Sequence, residues 1–201
     1  MKKAKYSDKD LVVSILIEAF GDNPNIQWIV GSTPKNREAK LKRFFEFAVE
    51  LTFLQGEIGI ADNHKGVILY FQEPKRSISL KTVWLNLRFI LQVAGFRKLP
   101  DLIKREKYCK TIRQSNKQFI YVWFIGAVAH EQNATIVDLK NSIFKKSVEE
   151  NLPIYIETTV PKARLAYVRY GFKVFHEWNN LSNHLTTWFL KREPSTFGLT
   201  F

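Results

Sequence analysis

The chain has 201 residues, 45% hydrophobic and 14% aromatic, enough to fill the core of one domain. Its 31 Lys or Arg against 19 Asp or Glu give a net charge of +12, which points to an anionic partner or a solvated basic face. One cysteine, Cys109, excludes an internal disulfide framework and suits a reducing, cytoplasmic setting; no secretory signal is readable, and no stretch reaches the ~18–20 uninterrupted apolar residues of a membrane span.

In chain order, Lys3–Tyr6 suits a short edge strand, and Ser7 or Asp8 can cap a helix over Lys9–Phe20. Leu11, Val12, Ile15, Leu16, Ala19 and Phe20 recur there at helical spacing, and Gly21 and Pro24 end it. Ile26–Val30 is too short to assign. Ser32-Thr33-Pro34 starts a second helix, Lys35–Leu54, with Leu41, Phe44, Phe45, Ala48 and Leu51 on one face. Glu57–Ala61 and Val67–Phe71 read as strands joined by the turn Asp62–Gly66. Two helices fill Ser79–Asn116 and bend at Gly95–Pro100. The first carries the apolar stripe Leu80, Val83, Trp84, Leu87, Ile90, Leu91 and Ala94. Between Lys75 and Lys117, twelve Lys or Arg stand against Asp101 and Glu106 alone, a net of +10.

The apolar strand Phe119–Ala129 follows, then a polar turn, His130–Asn133, and a helix over Ala134–Glu150. Pro153–Thr158 is a strand, a short helix holds Tyr167, and further strands run to Trp178 and over His184–Leu190, before a polar tail from Lys191. Strand–turn–helix–strand at this spacing describes an α/β unit with a ligand edge at the end of its first strand. The expected fold is α/β (α+β mixed): a single mixed sheet flanked by helices. It forms one domain over 1–201, with a two-helix basic insertion at 75–117 after the third strand and a tail at 193–201.

Three stretches carry a family resemblance: Tyr121-Val-Trp-Phe-Ile-Gly-Ala-Val-Ala-His-Glu131, Pro153-Ile-Tyr-Ile-Glu-Thr158 and Tyr167-Val-Arg-Tyr-Gly-Phe172. In this order they resemble the GNAT superfamily of N-acetyltransferases, and the third, Tyr-x-x-x-Gly-Phe, is the most specific. The resemblance covers nearly the whole chain. It implies an acyl-CoA N-acyltransferase-like fold, acetyl-CoA as acyl donor and a small-molecule amine as acceptor.

Backbone groups of Ala127, Val128 and Ala129 would hold the thioester carbonyl and pantetheine arm, and amides of Gln132, Asn133, Ala134, Thr135, Ile136 and Val137 the pyrophosphate. The family pattern Gln/Arg-x-x-Gly-x-Gly/Ala is broken here: Gln132 aligns with the Gln, but Thr135 and Val137 stand over the glycine positions. Either the helix amides still meet phosphate or the anion site has decayed and the helix is structural. Tyr167 is implied as the general acid for the leaving thiolate, since a phenol with pKa near 10 stays protonated at neutral pH; the alternative is a packed aromatic. Ala163 stands where the family often has Asn, a second departure at the cofactor site.

Glu157 is the candidate base, directly or through water; the alternative is an inward carboxylate bonded to backbone. His130 replaces the family's common Pro and could be a base or a solvated loop residue. The four histidines and Cys109 show no metal-ligand spacing, so no metal is expected. With no nucleophile–base pair in view, direct transfer is the expected mechanism.

The basic insertion could serve the CoA 3′-phosphate or an acidic substrate. Trp84, Phe89, Phe96 and Tyr108 interleave with its cations, which also fits nucleic acid or an anionic membrane surface, but no nucleic-acid motif is present. The favoured reading has these aromatics packed inward under a solvated basic face. The functional alternative to the enzyme is a non-catalytic GNAT-fold protein that binds a ligand or partner with a decayed CoA site. A homodimer is left open.

Overall fold

The most apolar strands lie where both of their faces can be covered, and this orders the sheet. The computed structural model describes residues 1–31, 36–74, 79–113, 117–180 and 184–196, without the side chain of Gln132. The strands are β1 (Lys2–Lys3), β2 (Glu57–Ile60), β3 (Gly66–Glu73), β4 (Phe119–Ala127), β5 (Ile154–Thr158), β6 (Lys173–Asn180) and β7 (Leu185–Arg192). They form one mixed sheet in the order β1-β2-β3-β4-β5-β7-β6. Only β4 and β5 are parallel. The helices are α1 (Lys9–Phe20), α2 (Pro24–Val30), α3 (Arg37–Gln55), α4 (Leu80–Phe89), α5 (Leu99–Ile112), α6 (Gln132–Glu149) and α7 (Pro161–Arg169).

Strand alternation sorts the core onto two faces. On one face Val67, Leu69 and Phe124 pack with Val12 and Leu16 of α1 and Phe44 and Phe45 of α3. On the other, Ile68, Tyr70, Ile120, Val122, Ile154 and Ile156 pack with Leu139, Ile143 and Phe144 of α6. In β4 the even positions Ile120 and Val122 thus face α6, whereas Phe124 faces α1 and α3. An irregularity explains the reversal: Val122 pairs with Tyr70 but Phe124 with Leu69, so Trp123 is an extra, bulged residue that flips the phase of the strand.

Several expectations shift by local physics. Ile26–Val30 is helical because Asn23 caps it, accepting from the Asn25 and Ile26 N–H groups at 3.0 and 3.4 Å, with Pro24 in the first turn. β4 stops at Ala127, a 3-10 turn spans Ala129–Glu131, and α6 begins at Gln132. β7 runs on to Arg192, so Lys191 and Arg192 belong to the sheet. The expected helix start at Ser32-Thr33-Pro34, the insertion's 75–78 and 114–116, and residues 197–201 of the tail lie outside the described residues.

The insertion corrects the inward reading of its aromatics. Trp84 and Phe96 are about two-thirds exposed, and Leu80, Val83, Leu87 and Leu91 of the same stripe also face out. Thr82, Leu85 and Val93 take the inward face instead. Phe89 and Tyr108 do pack: Phe89 stacks on Phe47 with ring centroids 4.3 Å apart, and Tyr108 lies 4.5 Å from Trp178.

Phe45 is wholly buried, with ring centroids 5.1 Å from Phe44 and 5.8 Å from Phe124. Phe45→Ala is expected to cost about 3–5 kcal/mol of stability, read from the midpoint of urea unfolding.

Candidate active site

β4 and β5 pair over three residues only, Ile120–Val122 with Ile154–Ile156. β4 continues to Ala127 and β5 to Thr158 without pairing to each other. A cleft of about 1800 Å³ opens at the parting, well above the ~300–1,000 Å³ of most small-molecule sites. Its lining comes from both faces of the sheet, with Phe20, Phe44 and Arg105 on one and Val137, Lys140 and Tyr167 on the other.

The bulge decides which backbone groups face this gap. Before it, the Ile120 N–H donates toward β5, to Pro153 O at 2.9 Å; after it, the Val128 N–H donates toward β3, to Lys65 O at 2.9 Å. Alternation then turns the amides of Ile125 and Ala127 toward the unpaired edge. Of the backbone positions expected to meet the pantetheine arm, Ala127 therefore faces the gap and Val128 does not. The Ala129 N–H is also engaged, donating to Glu18 Oε1 at 3.0 Å.

At the start of α6, Asn133, Ile136 and Val137 line the cleft, and Ala134 is exposed. Thr135, over one family glycine position, turns away from the cleft. It is buried, and its hydroxyl accepts from Asn63 Nδ2 at 2.8 Å. Its methyl lies where a Cβ on Gly66 would be, 2.3 Å away, so the glycine is on the facing strand instead. The N-cap residue of α6, Glu131, makes no side-chain cap to its first-turn N–H groups. One turn on, burial beside the Phe144 and Tyr170 rings pushes the Lys140 ammonium below its ordinary value.

Tyr167 is placed by the way α7 ends. The Phe172 N–H bonds to Tyr167 O at 3.1 Å, the Gly171 N–H to Val168 O at 3.0 Å, and Gly171 has φ +88°. This is a Schellman stop, in which only the glycine accepts the left-handed backbone at no cost. The Phe172 ring returns to 5.6 Å from the Tyr167 ring. The spacing Tyr-x-x-x-Gly-Phe is thus first a helix terminator that holds the tyrosine. Tyr167 is half-buried by area but ringed by protein atoms, and that desolvation pushes its phenol above the ordinary value.

Glu157 sits at the opposite mouth. Its side chain is 7% exposed and shared by two guanidinium groups: Arg113 Nε is 3.4 Å from Oε1, and an Arg105 terminal nitrogen is 3.9 Å from Oε2. Among the described residues it is not bonded to backbone as the alternative reading had it. Arg113 lies 4.1 Å over the Tyr121 ring and donates to Cys109 O at 3.2 Å. Arg105, Cys109 and Arg113 follow at spacings of four and so share one face of α5. That spacing was the available signal for the two arginines, which the sequence reading missed. His130 is exposed. Among the described residues, no three His, Cys, Asp or Glu are grouped to hold a metal ion.

No protein-family model matches the sequence. An uncharacterized N-acetyltransferase of Schizosaccharomyces pombe is 23% identical over 183 residues, 85% of this chain and 73% of that one. A solved Corynebacterium glutamicum structure, described as histone acetyltransferase HPA2 and related acetyltransferase, superposes with a TM-score of 0.68 at 20% identity, covering 96% of this chain and 95% of that one. The polyamine N-acetyltransferase of Drosophila melanogaster gives 0.62 at 10% identity, covering 96% and 98%. The fold is the GNAT fold.

Within this GNAT fold, the lone thiol is not available as a nucleophile. Cys109 is buried, and desolvation, reinforced by the Glu157 charge, pushes it up to about 12. The thiolate is therefore scarce below that pH. Iodoacetamide at pH 8 should leave the native protein unmodified and alkylate the urea-unfolded chain fully, as read by intact mass.

Proposed function

We propose that the protein is an acetyl-CoA-dependent N-acetyltransferase that acts on a small amine by direct transfer. The observation that carries this reading is a through-going gap in the sheet with a buried carboxylate at one mouth and a desolvated phenol at the other. The nature of the relatives supports it, since the yeast protein is named an N-acetyltransferase and the Drosophila enzyme forms N-acetylagmatine. The single unpaired thiol suits a cytoplasmic setting. No helix among the described residues is long and apolar enough to cross a membrane.

The residues on the α6–α7 side fit a CoA ester. By strand alternation the Ala127 amide points to the unpaired edge of β4, first-turn amides from Asn133 onward suit a pyrophosphate, and Lys140 adds positive charge on the same wall. When bound, acetyl-CoA supplies the acyl group. Glu157, or a water it orders, takes the proton of the acceptor ammonium. Tyr167 holds a proton on its phenol oxygen and gives it up to the departing sulfur.

Two observations favour a second reading. The turn lacks glycine, and Glu18 occupies the Ala129 amide, as a non-catalytic binding protein with a decayed CoA site would allow. Calorimetric titration with acetyl-CoA separates the two: saturable heat is expected, and no heat at millimolar ligand sinks the enzyme. If the ester binds, Tyr167→Phe should lower turnover at least about tenfold with little change in affinity, given general-acid contributions of ~10²–10⁴. Unchanged turnover would remove Tyr167 from the mechanism.

A further inference from the structure

Two buried polar atoms in the cleft lack a hydrogen-bond partner among the described residues: Glu157 Oε1, an acceptor, and Arg105 Nε, a donor. Glu157 is more than nine-tenths buried, and its contact with Arg105, at 3.9 Å, is at the limit of an ion pair. Buried polar groups are nearly always satisfied, so an unsatisfied donor and an unsatisfied acceptor on two contacting side chains of opposite charge call for a ligand that answers both. Arg113 Nε lies 3.4 Å from Oε1 and offsets its charge, but its N–H is given to Cys109 O, so the hydrogen bond to Oε1 is left unmade. The cleft wall beside Arg105 adds the exposed Lys107 and Lys110, the latter 3.6 Å from Glu106, which leaves this wall positive on balance and favours entry of a negative group.

We propose that the acceptor is an amino acid, with its amino group at Glu157 Oε1 and its carboxylate at Arg105. This rests on the acetyl-transfer reading above. A zwitterion carries adjacent opposite charges that complement the Glu157–Arg105 pair, whereas a diamine would set its second cation against Arg105 and Arg113. The acceptor class thus differs from the polyamine of the Drosophila neighbour.

The test pairs each amino acid with the amine left after loss of its carboxylate: L-tyrosine with tyramine, L-arginine with agmatine. For at least one pair the amino acid should be acetylated with at least tenfold higher kcat/KM. Arg105→Gln should raise the KM for that amino acid at least tenfold and leave the KM for the amine and the affinity for acetyl-CoA unchanged. Arg105→Lys should recover part of the loss. Equal or better use of the amines, or an equal rise in both KM values, overturns the proposal and leaves the acetyltransferase reading standing. Should acetyl-CoA not bind, calorimetry with the same pairs still tests the site: amino-acid binding lost in Arg105→Gln supports it, and no binding overturns it.

A second surface carries an independent inference. Leu80, Val83, Trp84, Leu87 and Leu91 share one exposed face of α4 and the turn after it, and Leu80 is 89% exposed. The sequence has no Asp or Glu between Glu73 and Asp101, and Lys81 and Arg97 are exposed in this stretch. We infer that this face docks on an anionic lipid bilayer. Apolar side chains enter the acyl boundary while Lys and Arg meet the headgroups. A second copy would set basic residues against basic residues, and nucleic acid offers no apolar phase for leucines.

Sedimentation with vesicles tests it. The protein should pellet with vesicles of phosphatidylcholine plus phosphatidylserine and stay in solution with phosphatidylcholine alone. The double variant Trp84→Glu, Leu87→Glu should lose binding while keeping the wild-type unfolding temperature, since both side chains are exposed. Failure to pellet with the anionic vesicles at low salt, or a dimer that this double variant dissociates, overturns it.

Discussion

The cleft and the chemistry proposed for it depend on two parallel strands that part after three residue pairs. A sheet satisfies its backbone groups by pairing, and parting leaves a row of donors and acceptors that must be answered by something else. β5 ends two residues past the last pair, where the Thr158 hydroxyl accepts the Val160 N–H at 3.1 Å and Pro161 opens α7. β4 carries on, reversed in phase by Trp123. The bulge and the short partner together aim the amides of Ile125 and Ala127 into a gap lined from both sides.

The two ends of the gap have different chemistry because of strand alternation. In β5, Ile154 and Ile156 go to the α6 face, so Glu157 goes to the other. A slip of one residue would exchange them and bury the carboxylate against Phe144 and Leu139. Placed as it is, Glu157 meets α5. An ion cluster of this kind is weak evidence of stability, since desolvation cancels much of the attraction. Its effect is positional: Arg105 and Arg113 tie the insertion to β5 and put charge at the acceptor mouth.

The insertion then divides into two jobs. α5 and its C-cap close the cleft through Arg105 and Arg113, and Tyr108 reaches β6, its hydroxyl 2.7 Å from His176 Nε2. α4 leans on α3 through Leu85 and Phe89 and leaves its longer apolar stripe outside. A helix with apolar residues on more than one face cannot state which of them is buried; its neighbours decide.

The order of strands and helices apart from α2, the α/β class and the placing of Tyr167 on a short helix were legible in the sequence. Each rests on short-range physics: the continuous apolar run Phe119–Ala129, apolar recurrence in Lys9–Phe20, and a helix stop written by Gly171 and Phe172. Other features were set only by tertiary contact. Nothing local in Trp123 marks it as the bulged residue, because the bulge exists only in register with Leu69 and Tyr70. Thr135 is harmless at a glycine position only because Gly66, across the sheet edge, makes room for its methyl. Glu157 acquired its two arginines, and α4 its bare face, through the placement of helices remote in sequence. Chain spacing determines what each element is, whereas the pairing of distant surfaces determines which side chains share the cleft.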